Sequence, residues 1–286
     1  MPNQLLLATD LSARCDRATE RATQLARQWN AKLDVVSVLE QPVAPDQLLG
    51  RLVSAEPASE EEALARAMEH EFHGNETIGR MHIARGEPID AIARQAKDCN
   101  ADLIVTGMAR NETFGRFLLG TTVETLSRNV EQPLLVVRNR VHGNYERIVV
   151  SSDFSEASRQ ALVKTVEMFP NQEIVLYHVF SLPLAGLGGA DTEQKMADQV
   201  RNEEAVEFLN NSGLSAEQRR WIRVVVEVGA MESQMARYVR THNTQLVVMG
   251  SHGRTGLLNM LIGSAAARML EWLPCDSIIV RQAKNA

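Results

Sequence analysis

Short apolar runs alternate with amphipathic segments along the whole chain. The runs include LLLATD (5–10), LDVVSVL (33–39), DLIVTG (102–107) and LLVVR (134–138), and they are rich in Leu, Val and Ile. Between them, apolar residues recur at helical spacing, as in the series Ala18, Ala22, Leu25, Ala26 and Trp29. Continuous apolar runs separated by helices are typical of parallel strands that are covered on both faces. The pattern therefore predicts a doubly wound α/β fold.

The second part of the chain repeats the first at a constant offset. Each matched pair is separated by 143 positions: Asp10 and Asp153, Ser12 and Ser155, Gly86 and Gly229, Gly107 and Gly250, Gly120 and Gly263, Arg138 and Arg281. A repeat of this length predicts two domains, residues 1–141 and 142–286, each with a five-stranded sheet. Pro133 faces Asp276 across the repeat and breaks the match.

Several local features are predicted from the repeat. Ser12 and Ser155 follow the first strand of each half, and we expect them to cap the next helix. Arg138 and Arg281 follow the last strand of each half, and we expect them to solvate the sheet edge.

Composition narrows the class of protein further. The net charge is −6, which disfavours a nucleic-acid or anionic-membrane surface. The three cysteines are widely spaced, so a reducing cytosol is expected rather than a disulfide framework or a CxxC metal site. No apolar run approaches the roughly 20 residues of a membrane helix. The N-terminal apolar run is short and lacks a basic flank, which predicts a first strand rather than a signal peptide.

The candidate chemistry lies after the fourth strand of the second half. Gly250 ends that strand, Gly253 follows in the loop, and Gly263 and Ser264 precede the helix-forming run AAARMLEWL. Glycines allow positive φ and close approach of a ligand to the backbone. A helix start offers free N–H groups and a favourable dipole to an anion. The spacing therefore predicts a phosphate cradle, whereas GxxxxGK[ST] and GxGxxG loops are absent.

The spacing Gly250-x2-Gly253-x9-Gly263-Ser264 resembles the ATP-binding signature of the universal stress protein family. The ATD and SSD segments and the RGEP and VGAM turns extend the resemblance over the whole chain, as a tandem of two domains. The resemblance implies strand order 3-2-1-4-5, a cytoplasmic location and pairing through the fifth strand, with the two halves in place of two subunits. A further homodimer of the tandem and a protein partner stay open.

The resemblance also implies the residues of the nucleotide site. Ser152 and Asp153 would lie beside the adenosine, and Val179 would face the adenine through its backbone. Met249 and Gly250 would line the ribose. The residues expected around the phosphates are Gly253, Arg254, Gly263, Ser264 and Ala265. Mg²⁺ would accompany ATP, although no side chain is identified as its ligand.

The first half departs from the signature. Arg110 stands in place of Gly253, and Asn111 and Glu112 replace the next two residues. The bulk of Arg110 and the negative charge of Glu112 predict weak or absent ATP binding in this half. In the alternative interpretation, Arg110 itself holds an anion, with Gly120 and Thr121 beside it.

Three functions follow from these patterns. The first is a regulatory protein that binds ATP in its second half and presents its first half to a partner. The second is a slow ATPase or phosphotransferase, for which no catalytic base is evident in the sequence. The third is a scaffold that binds another small ligand or none.

Overall fold

The computed structural model of the chain describes residues 1–39, 57–108, 112–113, 116–117, 121–181, 189–251 and 264–281. The first half contains strands β1 (Gln4–Ala8), β2 (Lys32–Leu39), β3 (Ile78–Arg85), β4 (Leu103–Gly107), β5 (Glu112–Thr113), β6 (Arg116–Phe117) and β7 (Leu134–Val137). Its helices are α1 (Asp16–Trp29), α2 (Pro57–Glu71), α3 (Pro88–Asp98) and α4 (Thr121–Asn129).

The second half repeats the alternation of the five sheet strands with helices, with three helices in place of α2. Its strands are β8 (Ile148–Ser151), β9 (Ile174–Phe180), β10 (Ile222–Val228), β11 (Leu246–Gly250) and β12 (Asp276–Val280). Its helices are α5 (Glu156–Met168), α6 (Gly189–Asn202), α7 (Glu204–Asn210), α8 (Ala216–Arg219), α9 (Met231–Thr241) and α10 (Ser264–Trp272). No described helix is long and apolar enough to cross a bilayer.

Each half forms a parallel five-stranded sheet in the expected order 3-2-1-4-5. The first half runs β3-β2-β1-β4-β7, and the second runs β10-β9-β8-β11-β12. The two fifth strands, β7 and β12, pair antiparallel, with Leu135 opposite Ile278. These two residues are matched in the repeat, so the halves are related by a local twofold axis between them. One ten-stranded sheet results, and the predicted fold is confirmed.

Alternate residues of the strands supply two apolar layers, one on each face of the sheet. Leu5 and Leu7 belong to one layer, whereas Leu6 and Ala8 belong to the other. Both layers draw residues from both halves, because the sheet is continuous through β7 and β12. The strands are therefore buried on both sides, which explains their unbroken apolar sequence.

The two predicted helix caps differ in outcome. Ser155 caps α5, and its side chain accepts a hydrogen bond from the Ser158 N–H at 3.3 Å. Ser12 does not cap α1, because that helix begins at Asp16. The Ser12 hydroxyl instead donates to the Asp10 carboxylate at 2.6 Å. The prediction for Ser12 was wrong because a neighbouring carboxylate competes for its side chain.

A buried carboxylate joins the two halves beside the β7–β12 pair. Asp276 is 1% exposed, and its Oδ1 accepts the N–H groups of Arg138 at 2.8 Å and Asn139 at 2.9 Å. Its Oδ2 accepts the Tyr145 hydroxyl at 2.6 Å and lies 3.6 Å from the Arg21 Nε. Asp276 thus fixes groups from α1, the end of β7 and the interdomain connection. The mismatch with Pro133 was the sequence signal for this residue.

The expectation that Arg138 solvates the sheet edge was wrong. Arg138 is buried, and its guanidinium donates to the Leu270 carbonyl in the other half. Burial lowers the pKa of Arg138 to about 10, although Cys275 and Asp276 favour its charged form. Arg281 is half-buried and donates to the Val130 carbonyl at 3.3 Å, again across the halves. Both arginines therefore reach across the junction between the halves.

Candidate functional site

A tight turn after β8 positions the first predicted site residues. The Ser152 Oγ accepts the Phe154 N–H at 3.0 Å, and the Asp153 Oδ1 accepts the Ser155 N–H at 3.1 Å. Phe154 has a φ of 60°, in the left-handed region. Ser152 is buried, and its hydroxyl also bonds to the Ser158 hydroxyl at 3.0 Å. The Ser152 side chain therefore shapes the turn, and Asp153 stands half-buried at the sheet edge.

The first half builds the same turn from different residues. The Thr9 Oγ1 accepts the Leu11 N–H at 3.0 Å, and Leu11 has a φ of 55°. The Asp10 Oδ1 accepts the Ser12 N–H at 2.9 Å and the Cys15 thiol at 3.2 Å. Burial raises the pKa of Asp10, but the hydrogen bonds from Ser12 and Cys15 outweigh it and leave the pKa below its usual value. Sequence reasoning missed both left-handed residues, because neither is a glycine.

Strand register brings three of the predicted residues to one edge of the sheet. β8 lies between β9 and β11, with Ser151 in register with Tyr177 and Val150 in register with Val248. Asp153 follows the central strand, Val179 is near the end of β9, and Gly250 ends β11. Parallel strands place their carboxyl ends together, and this is the edge where doubly wound sheets bind ligands.

The lack of a side chain at Gly250 is explained by packing. A Cβ at this position would lie 2.8 Å from the backbone carbon and oxygen of Ala157, at the start of α5. At Gly107 the nearest atom would be the Arg14 carbonyl oxygen, at 3.1 Å. Gly250 is not among the described residues with positive φ. Of the two properties that glycine offers, Gly250 uses close approach, because the start of α5 packs against the end of its strand.

Met249 also has a packing role. Its side chain is 3% exposed and belongs to the apolar layer shared with α9 and α10. Any contact of Met249 with a ribose would therefore involve its backbone.

Of the predicted phosphate-binding segment, the structure describes only the helix that follows the glycine loop. Gly253, Arg254 and Gly263 lie outside the described residues, as do Arg110 and Gly120 in the first half. α10 begins at Ser264, with Ala265 next, and α4 begins at Thr121. The helix that was expected after the glycine loop is therefore present, and its N-terminus follows the loop directly.

A cavity of about 280 Å³ opens at the carboxyl edge of the first half. Its lining residues are Ala8, Thr9, Asp10, Arg14, Cys15, Val36, Val38, Pro88, Ile92, Thr106, Gly107, Met108 and Val123. Burial raises the pKa of the Cys15 thiol in this lining. The structure thus places a small-molecule-sized cavity in the half whose phosphate loop is degenerate.

Five lining residues of this cavity correspond to predicted site residues of the second half. Thr9 corresponds to Ser152, because the Thr9 and Ser152 N–H groups donate to the carbonyls of Val36 and Tyr177, respectively. The other pairs are Asp10 with Asp153, Val38 with Val179, Thr106 with Met249 and Gly107 with Gly250. The second strands of the two halves, β2 and β9, match at an offset two positions shorter than the 143 positions that separate the other matched pairs. The residues expected around a nucleoside therefore occupy positions that enclose a cavity in the other half.

The described residues contain no group of three or more His, Cys, Asp or Glu side chains placed to hold a metal ion.

The fold defines a duplicated doubly wound α/β protein, with a cavity at the carboxyl edge of its first half. The sequence profile of the universal stress protein family matches residues 1–138 and again residues 144–281. The chain therefore belongs to the universal stress protein family, in its tandem two-domain form.

Relatives and solved structures agree with this assignment. A universal stress protein of Mycolicibacterium smegmatis is 25% identical over 290 residues, covering 97% of this chain and 96% of its own length. One from Methanocaldococcus jannaschii is 27% identical over 147 residues, which is 49% of this chain and 85% of the relative. The crystal structure of a universal stress protein from Archaeoglobus fulgidus superposes with a TM-score of 0.64 at 17% identity, covering 99% and 98% of the two chains. At that identity the likeness shows the fold.

Proposed function

We propose that this protein binds ATP in its second half, residues 142–286, and that occupancy of the site regulates contact with a partner. The strongest support is the combination of three features: a complete glycine spacing, a sheet edge and a helix start. The complete spacing Gly250-x2-Gly253-x9-Gly263-Ser264 connects a sheet edge that carries Asp153 and Val179 to the N-terminus of α10.

Each part of the nucleotide has a counterpart in this arrangement. The adenine would lie against Val179, and the ribose would lie between Asp153 and the backbone of Gly250. The phosphates would lie along the glycine loop, where the free N–H groups and the dipole of α10 favour negative charge. The corresponding edge of the first half encloses about 280 Å³, near the lower end of the roughly 300–1,000 Å³ range of ligand pockets. A space of this size fits a nucleoside, and the phosphates would extend over the loop.

Mg²⁺ would bind with ATP and neutralise charge on its phosphates. Because Mg²⁺ commonly keeps several waters and binds through the substrate's phosphates, it does not require a cluster of protein ligands.

The first half, residues 1–141, would bind ATP weakly or not at all. Arg110 replaces a glycine in its loop and Glu112 adds a negative charge near the expected phosphates. This half would instead serve as a surface for a partner in the cytosol. For ATP to act as a regulator, it must bind two conformations of the protein with unequal affinity.

Nucleotide content tests the proposal directly. The purified full chain is denatured and the supernatant is analysed for ATP and ADP by chromatography, while phosphate release is followed on the native protein. Co-purified nucleotide without turnover supports the proposal. Steady phosphate release would favour an ATPase. A protein that carries no nucleotide and does not bind added ATP would instead favour a scaffold.

A further inference from the structure

A cluster of three polar side chains lies beside Val179 in the second half. The Tyr177 hydroxyl donates to the Glu227 Oε2 at 2.7 Å, and the Arg237 guanidinium lies 2.9 Å from the same oxygen. Burial raises the pKa of the Tyr177 phenol, and the hydrogen bond to Glu227 raises it further, so the phenol stays a donor. Among the described residues, the Glu227 Oε1 has no hydrogen-bond partner.

The register of the strands places this carboxylate on the proposed ligand side. Glu227 is in register with Val179, so the two residues are neighbours on adjacent strands close to the carboxyl edge. Tyr177 is two residues before Val179 and shares its face of the sheet. The bond from Tyr177 to Glu227 shows that the Glu227 side chain also lies on that face. The Glu227 side chain is 25% exposed, so a ligand at Val179 has access to it.

The first half lacks this carboxylate. Val36 occupies the position of Tyr177, and Ala84 occupies the position of Glu227, as the strand registers show. The third residue of the cluster, Arg237, does have a counterpart in the first half, because Arg94 lies 143 positions before it. The phenol and the carboxylate are therefore specific to the half whose phosphate loop is complete.

The chemistry of the cluster fixes what it can recognise. Two donors hold Oε2, so Oε1 is left to accept a hydrogen bond from a ligand, and it belongs to a charged group. Such an acceptor binds an N–H group and repels a carbonyl oxygen. Adenine carries an amino group at its 6-position, whereas guanine and hypoxanthine carry a carbonyl oxygen there. One available oxygen suits a single amino group better than the paired N–H groups of guanine.

We infer that Glu227 is a specificity-determining residue that selects a 6-aminopurine over a 6-oxopurine in the second half. The inference rests on the proposed function, because it requires the base to lie against Val179. Tyr177 and Arg237 are positioning residues that hold the carboxylate in one orientation.

The test compares the affinities of ATP and ITP, which differ at the 6-position of the base, by calorimetry on the full chain. The wild-type protein should bind ATP roughly ten- to hundredfold more tightly than ITP. In Glu227→Gln, the side-chain amide can turn its N–H toward the ITP carbonyl, so ITP should bind more tightly than it does to the wild type. This gain of binding cannot come from loss of folding. Glu227→Ala, which copies Ala84, should also lower the preference for ATP.

Glu173→Gln is the matched control. Glu173 is ion-paired with Arg223 at 3.3 Å and precedes β9, at the opposite end of the sheet. Its substitution should leave the ATP-to-ITP ratio unchanged. If Glu227→Gln keeps the wild-type ratio, or if Glu173→Gln changes the ratio equally, the inference is overturned while ATP binding stands. If the wild-type protein binds neither nucleotide, both the proposed function and this inference fail.

Discussion

The two halves share strand order and turn geometry but differ at their ligand edges. In the first half, Val36 is part of the lining of a cavity of about 280 Å³. In the second half, the larger Tyr177 takes the place of Val36 and fixes the Glu227 carboxylate beside Val179. The comparison teaches that the two halves share a scaffold, whereas the loop after the fourth strand and the side chains near the ends of the second and third strands differ. The second half alone has both the complete glycine spacing and the Tyr177–Glu227 pair.

The largest expected effect comes from making the second loop like the first. Gly253→Arg copies Arg110 and places a bulky side chain in the path of the phosphates. We expect the affinity for ATP to fall by about a hundredfold or more, measured by calorimetry. Gln28→Arg adds the same charge on an exposed face of α1 and should leave the affinity unchanged. Retention of wild-type affinity in Gly253→Arg would place the nucleotide elsewhere.

The junction between the halves should be the next most sensitive region. Asp276→Ala removes the buried acceptor of the Tyr145 hydroxyl and of two backbone N–H groups, and the ion-pair partner of Arg21. Removing one member of a buried charged network typically costs about 3–5 kcal/mol. We expect a large fall in the urea unfolding midpoint.

Asp102→Ala is a suitable comparison for the junction variant. Asp102 accepts the N–H groups of Asn3 and Gln4 at an exposed site. Its loss should cost less than about 1 kcal/mol. Equal shifts of the unfolding midpoint for Asp102→Ala and Asp276→Ala would show that the buried network does not stabilise the junction.

The matched glycines at the ends of β4 and β11 should differ more modestly. In Gly250→Ala, the new Cβ would meet the Ala157 backbone at 2.8 Å, so the start of α5 must shift. Overpacking of this kind costs about 1–3 kcal/mol. Gly107→Ala meets its nearest atom at 3.1 Å and should lower the thermal midpoint less. The reverse order of the two midpoints would contradict the packing explanation for Gly250.

The smallest expected effect concerns pH and the turn after β1. The folded-state pKa of Asp10 lies below its ordinary value of about 3.9, because hydrogen bonds from Ser12 and Cys15 outweigh the effect of burial. Its ionised form therefore stabilises the fold above about pH 4, and this contribution disappears as the pH falls through the lowered pKa. Asp10→Asn should therefore reduce the slope of stability against pH below about pH 4. An unchanged slope, followed by urea unfolding at several pH values, would refute this role.

The sequence predicted most of the fold, for a clear physical reason. Buried parallel strands give long apolar runs, and the repeat confirmed each run with a second copy. The pairing of the two fifth strands, β7 and β12, came from the family resemblance, because apolar runs carry no information about which strands pair.

The candidate site was predicted less completely. Phe154 adopts a left-handed φ that its residue type does not signal, and Gly250 is needed for packing rather than for positive φ. Glu227 was missed because strand pairing places it beside Val179 and Tyr177, and apolar runs carry no information about which strands pair. Burial of Arg138 could not be read from a residue type that usually lies at the surface.

The stoichiometry of ATP on the intact chain tests the central claim most directly. Native mass spectrometry of the full-length protein with added ATP should show one nucleotide per chain, and the Gly253→Arg variant should show none. Two nucleotides per wild-type chain, or one that persists in Gly253→Arg, would contradict the assignment of the site to the second half.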